Sequence, residues 1–320
     1  MSSGPKLLLI DGNNMCHRLF WAARTRQKGK KGEGDGLTYK GRCVEVIYGF
    51  FRQLIHLHKR YPDYFPIIAW DAGYTRRLEE SQAAVAAGLI PSAYKSTRPK
   101  RGEVNDDPDA IDMEPLFEQM EELQVNGLNW VRCLQVMIPG VEADDILHTY
   151  ARTYADWDGR SVIISSDGDF YQVIDDNTTL YHPVKKELWT KERFTMEFGF
   201  APYLWVDAGA IIGEIGKSKD NIFGVDGWGP TTACKYVREH GDIDAIKAVI
   251  EAKPEKKRGK RERDFLEQWE RLLLAWSLKK MDMLPDLPKP RCPPRDEKAV
   301  RKYFLEWSFA SILKEAWRLV

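Results

Sequence analysis

Three short, continuous runs of apolar residues punctuate the chain, at residues 6–10, 66–70 and 161–165. Residues 131–138 and 179–182 predict two further strands. An uninterrupted apolar run is typical of a strand that is buried on both faces of a parallel sheet. Because longer segments with helical spacing separate the runs, the pattern predicts an α/β fold with a central, mostly parallel sheet flanked by helices.

Helical periodicity is clearest in six segments, namely residues 17–23, 44–58, 114–123, 191–198, 205–212 and 231–240. A further helix is predicted to begin in the acidic segment 140–145, and a Gly/Lys-rich loop is predicted over residues 25–36. The helix over 231–240 should end at Gly241, a natural C-cap residue. Residues 242–320 are rich in charged residues and predict several helices. One of these helices, over residues 266–278, is mainly apolar.

The 320 residues are 43% hydrophobic and carry 48 basic and 48 acidic side chains, so the net charge alone does not indicate a nucleic-acid partner. Basic stretches at residues 24–42 and 253–263 nevertheless stand apart from acidic clusters. That distribution favours a polyanionic substrate and a cationic cofactor. The alternative, that these basic stretches are solvated surface loops without a binding role, stays open.

The five cysteines form no C-x-x-C pair, which argues against a zinc site or a disulfide framework and predicts a reducing compartment. No apolar run approaches the roughly 18 residues of a membrane span. The first residues lack the apolar core of a signal peptide. We therefore expect a cytoplasmic protein.

Acidic residues follow the predicted strands. Asp11, Asp71 and the pair Asp167 and Asp169 each come directly after an apolar run. A second group opens the predicted helix at residues 140–145, and a third flanks residues 215–219. The complete set is Asp11, Asp71, Glu142, Asp144, Asp145, Asp167, Asp169, Glu214 and Asp220.

Each acidic motif alone has an ordinary explanation as a turn or a helix cap. If the strands are parallel neighbours, however, their carboxyl ends share one edge, where ligands bind in open α/β sheets. So many anions repel one another unless a cation lies among them. Carboxylate oxygens without a His/Cys cluster favour Mg²⁺ or Mn²⁺. Two such ions about 4 Å apart are a recurring arrangement for phosphodiester hydrolysis.

Two further segments suggest contacts with nucleic acid. In residues 74–105, Tyr94 stands beside a lysine among basic residues that can clamp a phosphate backbone. These are Arg76, Arg77, Lys95, Arg98, Lys100 and Arg101. The turn 227–229 enters a helix and would present backbone N–H groups to an anion. An ordinary surface excursion and an ordinary helix entry are the alternatives.

Taken together, the motifs of residues 6–245 resemble the 5′-nuclease family. This family comprises flap endonucleases, the 5′–3′ exonuclease domain of bacterial DNA polymerase I and stand-alone phage 5′-exonucleases. The matching segments are 9–14 (LIDGNN), 70–71 (WD), 94–98 (YKSTR), 140–145 (GVEADD), 165–169 (SSDGD) and 220–233 (DNIFGVDGWGPTTA). Lacking a polymerase region, the chain is similar to the short stand-alone type.

The resemblance implies a PIN-like nuclease core over residues 1–200, with a helical arch at about 72–115. It further implies a helix–three-turn–helix element that grips duplex DNA, over residues 201–250, at which K⁺ is bound in relatives. Residues 251–320 find no clear match and are expected to form a helical C-terminal extension. A monomer is expected.

Residue by residue, the resemblance implies two Mg²⁺ or Mn²⁺ ions. The ligands of the first would be Asp11, Asp71, Glu142 and Asp144. The ligands of the second would be Asp144, Asp167, Asp169 and Asp220, with Asp145 adjoining. Glu214 is a further candidate ligand, from the motif that departs from the family pattern. Lys95 and Arg98 would contact the scissile phosphate and Tyr94 would stack on the neighbouring base. The duplex backbone would meet Gly227, Gly229, Thr231, Thr232 and Lys235.

The last acidic motif departs from the family pattern Gly-Asp-x-x-Asp-Asn-Ile. Here Glu214 replaces the first aspartate, and three extra residues separate it from Asp220. The leading hypothesis is a structure-selective 5′ to 3′ exonuclease and flap endonuclease that removes 5′ flaps and RNA primers and acts with replication proteins. The alternatives are a catalytically impaired, structure-specific DNA-binding protein and a PIN-like ribonuclease.

Overall fold

The computed structural model describes residues 5–28, 37–98, 111–155, 159–216, 219–291 and 295–320. The first part of the chain forms β1 (Lys6–Asp11), α1 (Gly12–Lys28), β2 (Thr38–Tyr39), β3 (Arg42–Cys43), α2 (Glu45–Arg60), β4 (Phe65–Trp70) and α3 (Thr75–Ala86). There follow α4 (Glu114–Glu122), a π-helical turn (Leu123–Gly127), β5 (Leu134–Met137), α5 (Ala143–Ala155) and β6 (Arg160–Ile164).

The second half begins with a 3₁₀ helix (Gly168–Val173), β7 (Thr178–His182) and β8 (Glu187–Trp189). It continues with α6 (Lys191–Phe198), α7 (Trp205–Ile212), α8 (Pro230–His240), α9 (Ile243–Glu251), α10 (Lys260–Glu267) and α11 (Trp269–Lys279). The last helices are α12 (Glu297–Glu306) and α13 (Ala310–Leu313). Short 3₁₀ helices cover Pro202–Leu204, Glu255–Lys257 and Ala316–Leu319.

Six strands form one sheet in the order β5-β4-β1-β6-β7-β8. The first five are parallel, and β8 is antiparallel to β7. At the centre, Ile10 pairs with Ile68 on one side and with Ile164 on the other. The predicted mostly parallel sheet is confirmed. The sequence did not predict β8 or the β2–β3 hairpin, because strands of two or three residues show no periodicity.

Helices cover both faces of the sheet and create two hydrophobic clusters. Leu7 and Leu9 point into the first cluster, with residues of α5, α7, α8 and α11. Leu8 and Ile10 point into the second, with residues of α1, α2, α4 and α12. The segment expected as a C-terminal extension is therefore divided between the two faces. Within the described ranges, no helix has the length and apolar content needed to cross a membrane.

Helix α1 begins five residues earlier than the periodicity predicts. The Asp11 carboxylate accepts a hydrogen bond from the N–H of Asn14 at 2.9 Å, which caps the helix directly at the end of β1. At its other end α1 extends to Lys28, so the first residues of the predicted loop 25–36 are helical. Residues 29–36 lie outside the described ranges. The predicted helix 266–278 is divided into α10 and α11.

Two glycines fix the connection between α7 and α8. A Cβ on Gly224 would lie 2.4 Å from the carbonyl oxygen of Ile211 and 2.6 Å from the nitrogen of Gly213. Beyond this contact, Glu214 and Ile222 form an isolated antiparallel bridge with N–O distances of 2.6 and 3.1 Å. The bridge pairs described residues on either side of the three-residue insertion.

Candidate active site

Three aspartates lie at the carboxyl ends of the three central strands. Asp11 ends β1, Asp71 follows β4, and Asp167 follows β6. The second carboxylate oxygen of Asp11 accepts a hydrogen bond from the Ser165 hydroxyl at 3.1 Å. Because β4 and β6 both pair in parallel with β1, the three carboxyl groups share one edge of the sheet.

Helix α5 adds further acids, and Asp71 fixes its start. Oδ1 of Asp71 accepts a hydrogen bond from the N–H of Ala143, in the first turn of α5, at 2.7 Å. Asp144 and Asp145 lie in that turn, and Glu142 precedes it. Acidic side chains are favourable at a helix N-terminus, because they face the positive end of the helix dipole.

The two most buried acids are paired with Arg77 of α3. Its guanidinium contacts Glu142 and forms two hydrogen bonds with Asp145, at 2.8 and 2.9 Å. The remaining donors reach the carbonyl oxygens of Leu278 at 3.0 Å and Lys280 at 3.1 Å. Arg77 therefore neutralises part of the acidic edge and joins it to the end of α11.

The segment after α3 brings three more polar side chains to the acids. Lys95 has a φ of +52°, and its N–H donates to the carbonyl of Asp220 at 2.9 Å. The Lys95 ammonium contacts Glu142. The Tyr94 hydroxyl lies 3.1 Å from Asp220 Oδ2 and 3.3 Å from Glu142 Oε1. Arg98 contacts the other carboxylate oxygen of Asp220, so this segment is fastened to the acidic edge.

A lysine at the end of α11 reaches the same edge from the opposite direction. Lys279 Nζ lies 3.0 and 2.9 Å from the two carboxylate oxygens of Asp169 and 2.9 Å from Glu214 Oε2. Glu214 also accepts a hydrogen bond from Lys219 at 3.3 Å. Although partial burial raises the pKa of Glu214, the two lysines hold it below its ordinary value.

The acids outnumber the cations that pair with them. Nine carboxylates meet at this edge, and five described cations form ion pairs with them, namely Arg77, Lys95, Arg98, Lys219 and Lys279. Asp11, Asp71 and Asp167 form no ion pair with any residue that the structure describes. Asp144 lies 3.8 Å from the Arg77 guanidinium. The excess of four negative charges is unfavourable without a further cation.

The pKa values of several of these carboxyl groups are raised. Burial raises the pKa of Asp11 to about 7, and the neighbouring carboxylates of Asp71 and Asp167 add to the increase. Burial also raises the pKa of Asp144, against the opposing charge of Arg77. The pKa of Asp167 is raised to about 6 by desolvation and then by Asp169, but Asp167 is exposed, so Asp11 is the clearer sign of missing positive charge.

The donor set fits a hard divalent cation. Glu142, Asp144 and Asp145 can each present a carboxylate oxygen within 4.8 Å of the others. The first and third of these already pair with Arg77. Asp144 and the three strand-end aspartates supply oxygens that no close ion pair among the described side chains neutralises. Oxygen ligands of this kind suit Mg²⁺ or Mn²⁺.

Two residues expected to contact DNA are buried instead. Arg77 is only 3% exposed, because it neutralises two acids. Tyr94 is 4% exposed, and its ring packs against that of Tyr74 with centroids 5.5 Å apart, so it offers no free face for a base. Its hydroxyl is held by acids, which explains this position. Arg76 is half-buried and pairs with Glu80.

The other expected DNA contacts fall in two regions. Lys100 and Arg101 lie outside the described residues, as does the rest of segment 99–110, which falls within the expected arch. The turn before α8 is accessible: a Cβ on Gly227 or Gly229 would meet nothing within 4 Å. In α8 itself Thr231 and Lys235 are exposed and Thr232 is half-buried.

Two cations at the site were not predicted from the sequence. Lys279 belongs to an apolar helix far along the chain, and no local pattern distinguishes it. Arg18 on α1 interacts electrostatically with Asp11, and its Nε and Nη2 are buried without a hydrogen-bond partner among the described residues. The sequence did contain a signal for Arg18. Residues four apart lie on one helix face, so Arg18 is expected on the same face as Asn14, next to the end of β1.

Comparison with known proteins shows which sequences and folds the chain resembles. The family described as "5′-3′ exonuclease, N-terminal resolvase-like domain" matches residues 6–199. The chain is 30% identical over 316 residues to the thermostable DNA polymerase I of Thermus thermophilus, covering 97% of the chain and 33% of the polymerase. It therefore spans about a third of the length of that relative. It is 27% identical to the 5′-3′ exonuclease of Aquifex aeolicus, covering 75% and 71% of the two chains.

Solved structures share the fold. The 5′-exonuclease of bacteriophage T5, with divalent metal ions (zinc) bound, has a TM-score of 0.61 at 18% identity and covers 98% of this chain and 99% of its own. A flap endonuclease of the same phage, in a complex with DNA and metal ions, also has a TM-score of 0.61 at 18% identity, over 98% of both chains. The predicted PIN-like fold is thereby confirmed.

Proposed function

The chain belongs to the 5′–3′ exonuclease family, and from this membership and the acidic sheet edge we propose that it is a divalent-metal-dependent 5′-nuclease acting on DNA. It would hydrolyse phosphodiester bonds at free 5′ ends, nicks and 5′ flaps, as exonuclease and as flap endonuclease. Removal of RNA primers in replication or repair belongs to the same proposal.

One observation carries the proposal. Asp11, Asp71 and Asp167 follow three adjacent parallel strands, and none forms an ion pair with a described residue. Bringing carboxylates close together without a cation is unfavourable, as the raised pKa of Asp11 indicates, to which the charges of Asp71 and Asp167 contribute. A purely structural cluster would be expected to pair all its acids internally, as this chain pairs Asp145 with Arg77.

Asp11, Asp71, Asp144 and Asp167 would be the principal ligands of Mg²⁺ or Mn²⁺, with the other acids of the edge around them. Bound there, such ions would supply an activated water and charge stabilisation at the scissile phosphate, two ions being the arrangement expected. The protein's own part is to orient these carboxylates. Ser165 holds Asp11 and the N–H of Ala143 holds Asp71.

Lys95 and Arg98 would bind the scissile phosphate. Both reach over the acidic edge, and each now pairs with a single carboxylate, Glu142 and Asp220 respectively. When a cation neutralises those acids, the ammonium and the guanidinium become available to a phosphate oxygen. Arg18, which has buried donors without a partner among the described residues, is a third candidate for a phosphate contact.

Helices α7 and α8 would grip the duplex. The turn before α8 is open at Gly227 and Gly229, and the α8 N-terminus can receive a backbone phosphate. Exposed Thr231 and Lys235 would add contacts to the same strand. We also propose, from the family alone, a K⁺ ion at this element, a monomeric protein and the cytoplasm of a bacterial or phage-infected cell.

Cleavage of a 5′-end-labelled flap DNA tests the proposal. With Mg²⁺ the wild-type protein should cut within about one nucleotide of the junction, because the bound duplex fixes the position of the scissile bond at the active site. EDTA should abolish the cut, and readdition of Mg²⁺ should restore it. Nicked, gapped and RNA–DNA substrates in the same assay rank the preferences.

The same assay distinguishes the alternatives. A catalytically impaired DNA-binding protein would bind the flap and cut nothing with either Mg²⁺ or Mn²⁺. A PIN-like ribonuclease would cut single-stranded RNA and leave the DNA flap intact. Either result would overturn the proposed DNA nuclease.

A further inference from the structure

Lys279 occupies the position of a cation between two acids of the site. Its ammonium lies within 3.0 Å of both oxygens of Asp169 and 2.9 Å from Glu214. Its side chain is 7% exposed, whereas those of Asp169 and Glu214 are 29% and 27% exposed. A buried ammonium that bridges two carboxylates makes charge-assisted hydrogen bonds to both. It thereby supplies positive charge where the acidic edge would otherwise need a metal ion.

The backbone holds Lys279 firmly at this position. Its carbonyl accepts a hydrogen bond from Gln172 Nε2 at 3.1 Å, and the N–H of Met281 donates to the same glutamine at 3.2 Å. On either side, the carbonyls of Leu278 and Lys280 accept from Arg77. The end of α11 is thus fixed to the acidic edge, so the ammonium can leave the two acids only by rotation about the bonds of its own side chain.

The two sides of the edge therefore differ. Asp11 and Asp71 have no described ion pair, whereas Asp169 and Glu214 share Lys279. A divalent ion can join the first pair without displacing any side chain. An ion that uses Asp169 or Glu214 meets an ammonium on the same oxygens, and two cations at that separation repel strongly in a partly buried site.

We propose that Lys279 is a displaceable internal cation that sets the affinity for the second divalent ion: the first ion binds beside Asp11 and Asp71, and the second binds only when the ammonium leaves Asp169 and Glu214. Lys279 is then a positioning residue that acts through the metal ligands. This inference rests on the proposed metal-dependent function but is measured by metal binding, without hydrolysis.

Calorimetric titration with Mn²⁺ tests the inference on the full chain, in wild type and in Lys279→Met. The variant keeps the length of the side chain and removes its charge. We expect the second ion to bind at least tenfold more tightly in Lys279→Met, with the first ion changed less than twofold. Lys279→Arg should behave as wild type. The adjacent exposed Lys280, whose ammonium lies 5.1 Å from the Trp276 ring centroid, provides the matched control Lys280→Met, which should also behave as wild type.

Equal affinity for the second ion in wild type and Lys279→Met would overturn the inference, whatever that affinity is. If Lys279→Met does not fold, the NMR signal of the Lys279 ammonium in wild type decides instead, assigned by its loss in Lys279→Arg. The signal should stay constant through the first equivalent of Mg²⁺ and shift with the second, and a signal unchanged at saturation would overturn the inference. Absence of hydrolysis with these binding results intact would contradict only the proposed nuclease activity.

Discussion

Arg77 and Asp145 form a bidentate ion pair, with Nη1–Oδ2 and Nη2–Oδ1 distances of 2.8 and 2.9 Å. The two residues lie 68 positions apart, on α3 and α5. Nε of the same guanidinium donates to the carbonyl of Leu278, another 133 positions beyond Asp145, at 3.0 Å. A single buried side chain thus joins the acidic edge, the segment that leads to Lys95, and the end of α11.

Replacing Arg77 should destabilise the whole protein. Arg77→Met leaves Asp145 buried without its ion-pair partner and leaves Glu142 paired only with Lys95, and breaking a buried ion pair costs about 3–5 kcal/mol. We expect a loss of this size in the free energy of unfolding from denaturant titration. Arg76→Met is the matched control, because Arg76 is only half-buried and its ion pairs should contribute far less. Equal losses in the two variants would contradict the role of Arg77.

Asp207 should make stability depend on pH. This buried carboxylate of α7 accepts hydrogen bonds from the N–H of Ile243 at 3.2 Å and from Trp276 Nε1 at 3.1 Å. Burial raises its pKa to about 6. A raised folded-state pKa means that the stabilising contribution is complete below the unfolded value near 4 and is lost as the pH rises through 6.

Asp207→Asn isolates this contribution, because the amide oxygen can accept both hydrogen bonds without a charge. Between pH 4 and pH 7.5, the unfolding free energy of wild type relative to the variant should fall by up to about 3 kcal/mol. Thermal or denaturant unfolding at the two pH values measures the difference. A difference that stays constant with pH would show that Asp207 is not protonated in the folded protein at pH 4.

Lys95 should act in catalysis and Lys235 in binding. Lys95→Ala removes an ammonium from the acidic edge, and we expect kcat on a flap substrate to fall about 10²–10³-fold while DNA affinity is retained. Lys235→Ala, on exposed α8, should weaken binding and reduce the salt slope of affinity by about one, with kcat unchanged. Single-turnover rates and a salt titration separate the two effects, and the reverse assignment would contradict the proposed roles.

Two glycine substitutions should separate folding from DNA binding. Gly224→Ala places a methyl group 2.4 Å from the Ile211 carbonyl oxygen and should cost about 1–3 kcal/mol of stability. Gly229→Ala meets nothing within 4 Å at a φ of −80° and should cost less than about 1 kcal/mol. It should nevertheless lower duplex affinity, because its methyl group stands before the α8 amides. Unchanged duplex affinity would exclude this turn from the interface.

The strand ends could be predicted from the sequence because their signals are local. An apolar run followed by aspartate gives both the strand and the residue at its carboxyl end, as at Ile10 and Asp11. Parallel pairing then brings Asp11, Asp71 and Asp167 together without further information. The helices with strong periodicity, such as α6 and α7, have the predicted boundaries for the same reason.

The partners of the buried cations could not be predicted, because they depend on tertiary contacts. Arginine is usually a surface residue, so the sequence does not predict that Arg77 is buried. Its burial results from the packing of α3 against α11, where it donates to the carbonyl of Leu278. Tyr94 adjoins a lysine and was expected to face the substrate, but Glu142 and Asp220 hold its hydroxyl. Lys279 lies 110 residues from Asp169, so no motif spans the pair.

The central claim is that the carboxyl edge of the sheet is a metal-dependent catalytic centre. Strand β4 provides a matched pair of variants, because Asp71 lies just beyond its carboxyl end and exposed Asp63 lies just before its amino end. The measurement is the single-turnover rate of flap cleavage in saturating Mg²⁺ for Asp71→Asn and Asp63→Asn.

We expect Asp71→Asn to lose at least 10²-fold in rate with flap binding retained, because removal of a carboxylate weakens the metal site. Asp63→Asn should match wild type. Equal rates in Asp71→Asn and Asp63→Asn would contradict the account and move the catalytic centre away from this edge.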